Sequence, residues 1–316
     1  MPQWWSAIVS AGIALLVLSG IAYWTWRAQT DRSARVGLYL IFGIPGALLI
    51  LAGAVVLIRG DRTLGTLLLL IGLGLGLPLL RPVRAALARV TPLDPDSSID
   101  MAGLCIVFGL IGLFVGNSLV PSAESPPTAD SLPAFGLLEL LLQALSFLAI
   151  AYIAVGLPYW RNLREATARL GIETPTRRTF GFAGMGVVAA FVVMGIASAA
   201  AQQLEPGLNE SLNEIVDQIT SQVQNPLGAF ILGASAGIGE EAIFRGALQP
   251  RYGLIIPSIL FTLLHGPQYG FNVALIGLFG VSIILGLERK YANTTAAMIT
   301  HALYNAIPII ALWAGK

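Results

Sequence analysis

The stretch GASAGIGEEAIFRGALQP (233–250) sets two adjacent glutamates, Glu240 and Glu241, and an arginine, Arg245, inside an otherwise apolar run. Ionisable groups at membrane depth are costly, and where they persist they mark function. The chain's only two histidines follow in equally apolar stretches, His265 in FTLLHG (261–266) and His301 in THALYNA (300–306). Working outward from these segments, the chain reads as an all-α polytopic membrane helix bundle without a sheet, with its chemistry inside the bilayer.

Composition supports the membrane. Hydrophobic residues make up 56% of the chain and charged residues 11%, far from the balance of a soluble domain. Uncharged apolar runs of about 17 to 25 residues recur, the length a membrane helix needs. Ten helices are predicted, near 4–26, 36–58, 64–80, 101–120, 135–160, 181–203, 226–250, 254–268, 269–287 and 293–315.

Basic residues set the orientation, because positively charged loops stay on the cytoplasmic side. With the N-terminus outside, the inner loops carry Arg27, Arg32, Arg35, Arg81, Arg84, Arg89, Arg161, Arg164, Arg169, Arg177, Arg178, Arg251, Arg289 and Lys290, which is 14 of the 18 basic residues. Arg59, Arg62 and Lys316 fall outside, and the outer loops 121–134 and 204–225 contain no Lys or Arg.

The first run begins MPQWW without a basic n-region or an evident cleavage site, so it is expected to remain as a helix. Cys105, the single cysteine, is expected to be a packed apolar thiol. A net charge of +1 argues against a nucleic-acid partner. The Pro- and Ser-rich loop PSAESPPTADSLPA (121–134) separates four helices, within 1–134, from six, within 135–316. Between 207 and 223, Leu208, Leu212, Ile215, Ile219 and Val223 recur at helical spacing among acids and amides, predicting an amphipathic helix on the outer surface.

Helical spacing also assigns partners. Residues four apart share a face, whereas neighbours diverge by about 100°. Arg245 is therefore placed to pair with Glu241, and Glu240 points elsewhere. Phe261 shares a face with His265, and His301 with Asn305. At 1.5 Å per residue, Glu240, His265, His301 and Asn305 lie roughly 12 to 18 Å from the inner ends of their helices, so they can meet at one level. Gly266 and Pro267 end a helix just after His265, and a broken helix at that depth calls for burial in protein or a polar cavity.

EEAIFR with the following glycine, FTLLH and HALYN resemble, in order, the three motifs of the CPBP intramembrane proteases, also called the Abi family, which include the type II CAAX prenyl endopeptidases. The resemblance spans 240–305, extends to a helical core over 135–316, and gives the first four helices no counterpart. It implies hydrolysis, within the bilayer, of a peptide bond of a membrane-associated peptide or lipidated protein, with prenylated CAAX-type substrates among the candidates. Glu240 and His265 would activate a water, and His301 with Asn305 would stabilise the oxyanion. Glu241 with Arg245 would be a structural pair, and Phe261 would pack beside the site.

Other chemistries fit parts of the pattern. Glu240, His265 and His301 could supply three ligands to Zn²⁺ with water as the fourth, although no HExxH occurs and no cofactor is favoured. Ser235 within GASAG superficially fits a nucleophile elbow, but small residues so spaced more often permit close helix packing. Buried Glu and His also build proton relays in transporters, whose paired broken helices are not evident here. A non-proteolytic bacteriocin-immunity role is a further alternative. The expected location is the plasma membrane of a prokaryote.

Overall fold

The structure, a computed structural model, describes residues 3–119 and 128–315. Part of the predicted 121–134 loop and Lys316 lie outside the described residues. The N-terminal elements are α1 (Gln3–Arg27), α2 (Arg32–Ile58), α3 (Arg62–Gly76), α4 (Arg81–Leu87) and α5 (Ser98–Ser118). After them come α6 (Leu137–Ala154), α7 (Leu163–Leu170), α8 (Arg177–Leu204), α9 (Leu208–Thr220) and α10 (Pro226–Glu241). The chain then forms α11 (Gln249–Tyr252), α12 (Ile255–Leu264), α13 (Gly266–Tyr269), α14 (Ala274–Tyr291) and α15 (Thr294–Ala314). Among the described residues there is no strand, so the protein is an all-α bundle.

Among the described residues, eight helical segments are long and apolar enough to cross a membrane, against the ten helices predicted. The two that drop out have physical reasons. α12 has only 10 residues, about 15 Å of rise. α14 carries Glu288, Arg289 and Lys290 in its last turn. The outward face of α8 shows Phe180, Met185, Val188, Val192 and Ile196, a stripe of exposed apolar side chains. Such a surface suits lipid rather than water, and the protein is a multi-pass membrane protein.

Helix boundaries follow local chemistry. Asp31, Asp61, Ser97, Asn162, Thr176, Asn225 and Asn293 each accept from a backbone N–H in the first turn of the helix that follows. The Ala34 N–H, Arg27 and Ser33 together hold the Asp31 carboxyl below the usual carboxylate range. The short helices α4 and α7 are rich in charge and escape a hydropathy reading. In α4, Arg84 is buried and donates to the carbonyls of Pro95 (2.7 Å) and Pro78 (2.6 Å), tying the 80–97 connection into the bundle. The amphipathic segment is α9, with Ile215 and Ile219 on its buried face.

α10 and its continuation to Tyr252 form the centre of the bundle. Of this span's apolar window 56% is buried, against 11–17% for α1, α2, α6 and α8. α10 packs against α6 and α15, and α8 packs against α14 and α15. Gly233 and Gly237 make the α10–α15 approach possible, since a Cβ at either would overlap the carbonyl oxygen of Ala302 or Met298. The small residues of GASAG therefore serve helix packing. The N-terminal helices join this core through α5: Leu104 and Val107 share a buried cluster with Phe244, Tyr252 and Phe261, and Asp100 accepts from Arg251.

Candidate active site

Directly after Glu241 the helix widens into a π-helical stretch, Ala242–Leu248. Such stretches are rare and recur at functional sites. The predicted pair forms across its start: Arg245 Nε lies 2.9 Å from Glu241 Oε2, with both side chains fully buried. The contact is an ion pair by distance, with the N–H not aligned along it as a hydrogen bond. Arg245 also donates to Ser282 Oγ at 3.0 Å and lies over the Phe261 ring, 5.2 Å from its centroid.

Glu241 has a second partner that helical spacing did not indicate. Its Oε1 lies 2.8 Å from Nδ1 of His301, sixty residues downstream on α15. One carboxylate thus joins an arginine on its own helix to an imidazole on another. With its Nδ1 engaged by Glu241, His301 keeps Nε2 for other partners.

His265 sits at the break between α12 and α13, as the Gly266-Pro267 sequence predicts. Its Nδ1 lies 2.8 Å from the carbonyl oxygen of Phe261. A carbonyl only accepts, so Nδ1 carries a proton, and in the neutral ring Nε2 is a bare acceptor. Phe261 is the hub between the imidazoles. Its centroid is 4.7 Å from that of His265 and 5.9 Å from that of His301, and it meets Phe244 edge-on at 5.3 Å.

The structure therefore gathers Glu241, Arg245, Phe261, His265 and His301 into one cluster. Glu240 is half-buried, and its Oε2 is enclosed without a hydrogen-bond partner among the described residues. It interacts electrostatically with His301, Arg245 and Tyr269. His265 engages Phe261 through Nδ1, and among the described residues no hydrogen bond or ion pair joins it to Glu240. Asn305 lies one turn beyond His301 on α15 and is half-buried.

Two neighbours were not singled out from the sequence. Tyr269 stacks on His265 with a centroid separation of 6.1 Å and 4° between planes. It stands four residues after His265, so the i,i+4 rule would have found it had the helix break not hidden the continuing face. Glu288 is buried and accepts from Thr300 Oγ1 at 2.7 Å. In the sequence it stands next to Arg289 and Lys290 and reads as a solvated charge.

Among the described residues, no three His, Cys, Asp or Glu side chains form a group that could hold a metal ion. Ser235 gives its hydroxyl to the Leu232 carbonyl at 3.0 Å, a bond within its own helix.

Fold and site together define a polytopic helical membrane protein with carboxylate, imidazole and guanidinium groups clustered at its core. The family model described as Type II CAAX prenyl endopeptidase Rce1-like matches residues 222–307, a segment that contains all seven residues of the three motifs. The resemblance to the type II CAAX prenyl endopeptidases holds over that segment and supports a CAAX-type intramembrane endopeptidase. No curated protein and no solved structure matched the chain.

Proposed function

We propose that the protein hydrolyses a peptide bond of a membrane-associated, prenylated peptide or protein, with water as the nucleophile, in a prokaryotic plasma membrane. Residues 135–316 are the peptidase core, against which the N-terminal helices pack through α1 and α5. Glu240 takes a proton from the water, assisted by Nε2 of His265, as the water oxygen attacks the scissile carbonyl carbon. His301 through Nε2 and Asn305 through its amide donate to the oxyanion that develops on the carbonyl oxygen. The proton then passes to the leaving amine as the C–N bond breaks.

The observation that carries this reading is the anchoring of both imidazoles by Nδ1, one on the Phe261 carbonyl and one on Glu241. Each ring is thereby oriented with Nε2 available for water or substrate, and Phe261 holds the two rings within one cluster. A carboxylate beside Nδ1 lets His301 carry both protons and donate from Nε2. The enclosed, unbonded Oε2 of Glu240 is suited to accept from a water, because a buried oxygen without a partner is costly. Glu240 and His265, close to the same cluster but not paired directly, can share one water between them.

The Glu241–His301 bond favours a second assignment, in which neutral His301, oriented by Glu241, is the base and Glu240 stabilises charge. The two assignments divide on Glu240→Gln, which removes the base in the first and leaves it in the second.

Substrate class is tested by incubating the purified protein in liposomes with a farnesylated C-a-a-X peptide and its unprenylated counterpart, reading products by mass spectrometry. Cleavage of the farnesylated peptide in preference to the other is the expected result. Cleavage of neither contradicts the peptidase reading and leaves transport or immunity as the better account.

A further inference from the structure

A second feature lies away from the catalytic cluster, where the N-terminal helices meet the core. A cavity of about 100 Å³ opens between α1, α5, α6 and the segment 247–252, well above the ~10–15 Å³ that one water occupies. Its walls are apolar, with Leu18 and Ile21 from α1, Ile106 from α5, and Ile150 and Ile153 from α6. Its other end is polar, with Thr25, Trp160 and Arg251.

The slot has a direction. Thr25 near the end of α1, Ile99 near the start of α5 and Arg251 after α10 mark the level of the basic loops. Leu18 and Ile106 are seven residues further along their helices, roughly 10 Å deeper at 1.5 Å per residue. The cavity thus runs from the arginine-rich face into the apolar depth of the bundle.

Arg251 lines its mouth, and Arg161 and Arg169 stand just behind it, bonded to the Val155 and Gly246 carbonyls beside the lining residues Ala154 and Ala247. Arg161 and Arg169 both feel Arg251 electrostatically, and Arg169 also feels Arg289. Burial and these neighbouring charges push Arg169 down to about 10. The facing carboxylates are few: Asp100 is bound to Arg251, and Glu165 closes the capping box of α7. Arg161 donates to the Val155 carbonyl and Arg169 to that of Gly246 at 3.2 Å, leaving most of their five donors each for another ligand. Positive-inside topology explains basic loops but not three half-buried arginines drawn together against their repulsion. Independently, Trp160 Nε1 at the slot is buried without a hydrogen-bond partner, and a buried indole N–H ordinarily has one.

We propose that this slot binds an anionic phospholipid of the bilayer, one acyl chain lying between α1, α5 and α6 and the phosphate resting on Arg161, Arg169 and Arg251 with Trp160 donating to the headgroup. Basic pockets between helices on the cytoplasmic side are suited to such heads. The site gives the N-terminal helices a binding role that does not depend on the peptidase reading.

The test is lipid retention by the purified full chain, measured by native mass spectrometry with phosphatidylglycerol and phosphatidylcholine supplied in equal amounts. Preferential retention of phosphatidylglycerol is expected, weakened about tenfold by Arg161→Gln, since hydrogen bonds to charged groups are worth about that. Ala22→Leu fills the slot with every arginine intact and should weaken retention similarly. Arg251→Gln also releases Asp100 and could disturb folding, so Arg161→Gln and Ala22→Leu carry the decision. Equal retention of both lipids, or phosphatidylglycerol retention unchanged in both variants, overturns the proposal. So does displacement of the lipid by millimolar inorganic phosphate, which would reassign the arginines to a free anion.

Discussion

His301 Nδ1 lies 2.8 Å from Oε1 of Glu241, the carboxylate whose other oxygen is 2.9 Å from Arg245 Nε. The fully buried Glu241 is therefore shared between a guanidinium and an imidazole. Removing one partner of a buried ion pair leaves an uncompensated charge, at a cost of about 3–5 kcal/mol.

Glu241→Gln is accordingly expected to lower stability by about 3–5 kcal/mol, because Arg245 loses its ion-pair carboxylate and keeps the Ser282 hydroxyl and the Phe261 and Phe244 faces. Adding Arg245→Gln should restore part of the loss. A double-mutant cycle from thermal melts in detergent measures the coupling. Simple additivity of the two single effects would show that the contact contributes nothing.

The Glu241–Arg245 half of this network was legible in the sequence, because i,i+4 spacing on one helix is a local rule. The His301 half was not. It depends on α10 and α15 packing closely through Gly233 and Gly237, and no local pattern reports which carboxylate faces which helix. Helix placement followed apolar run length well for α1, α2, α3, α5 and α8. It overlooked α4 and α7, whose charges interrupt the apolar signal, and it gave α12 a full span although its helix stops at Leu264. The break at His265 was legible from Gly266-Pro267, yet it concealed Tyr269 on the same face.

The proposed oxyanion donors predict separable losses. His301→Ala should reduce turnover by about 10²–10³-fold, and Asn305→Ala by a similar or smaller factor, as removal of one such donor typically does. Because Asn305 lies outside the Glu241–Arg245 network, its replacement should leave the melting temperature near that of the wild type. Steady-state rates on one peptide, with melts of the same preparations, provide both readings. Full turnover by folded Asn305→Ala would remove that residue from the mechanism.

Metal dependence gives an independent comparison. Turnover is expected to survive chelator treatment, and elemental analysis of pure protein should find well under one zinc per chain. If the site were instead a zinc centre, His265→Ala and His301→Ala would both empty it and Asn305→Ala would not. One tightly held zinc per chain, whose removal stops turnover and whose return restores it, would overturn the water-activation mechanism and leave the peptidase reading in place.

The central claim is that Glu240 activates the hydrolytic water, and the most direct measurement is peptide-bond cleavage by purified Glu240→Gln beside the wild type under single-turnover conditions. The substitution keeps the side chain's size and removes its basicity. The rate is expected to fall by about 10²–10⁴-fold, the usual contribution of a general base, with an unchanged melting temperature and product masses in the wild type showing addition of one water. A folded Glu240→Gln variant that cleaves the same bond at close to the wild-type rate would contradict the account.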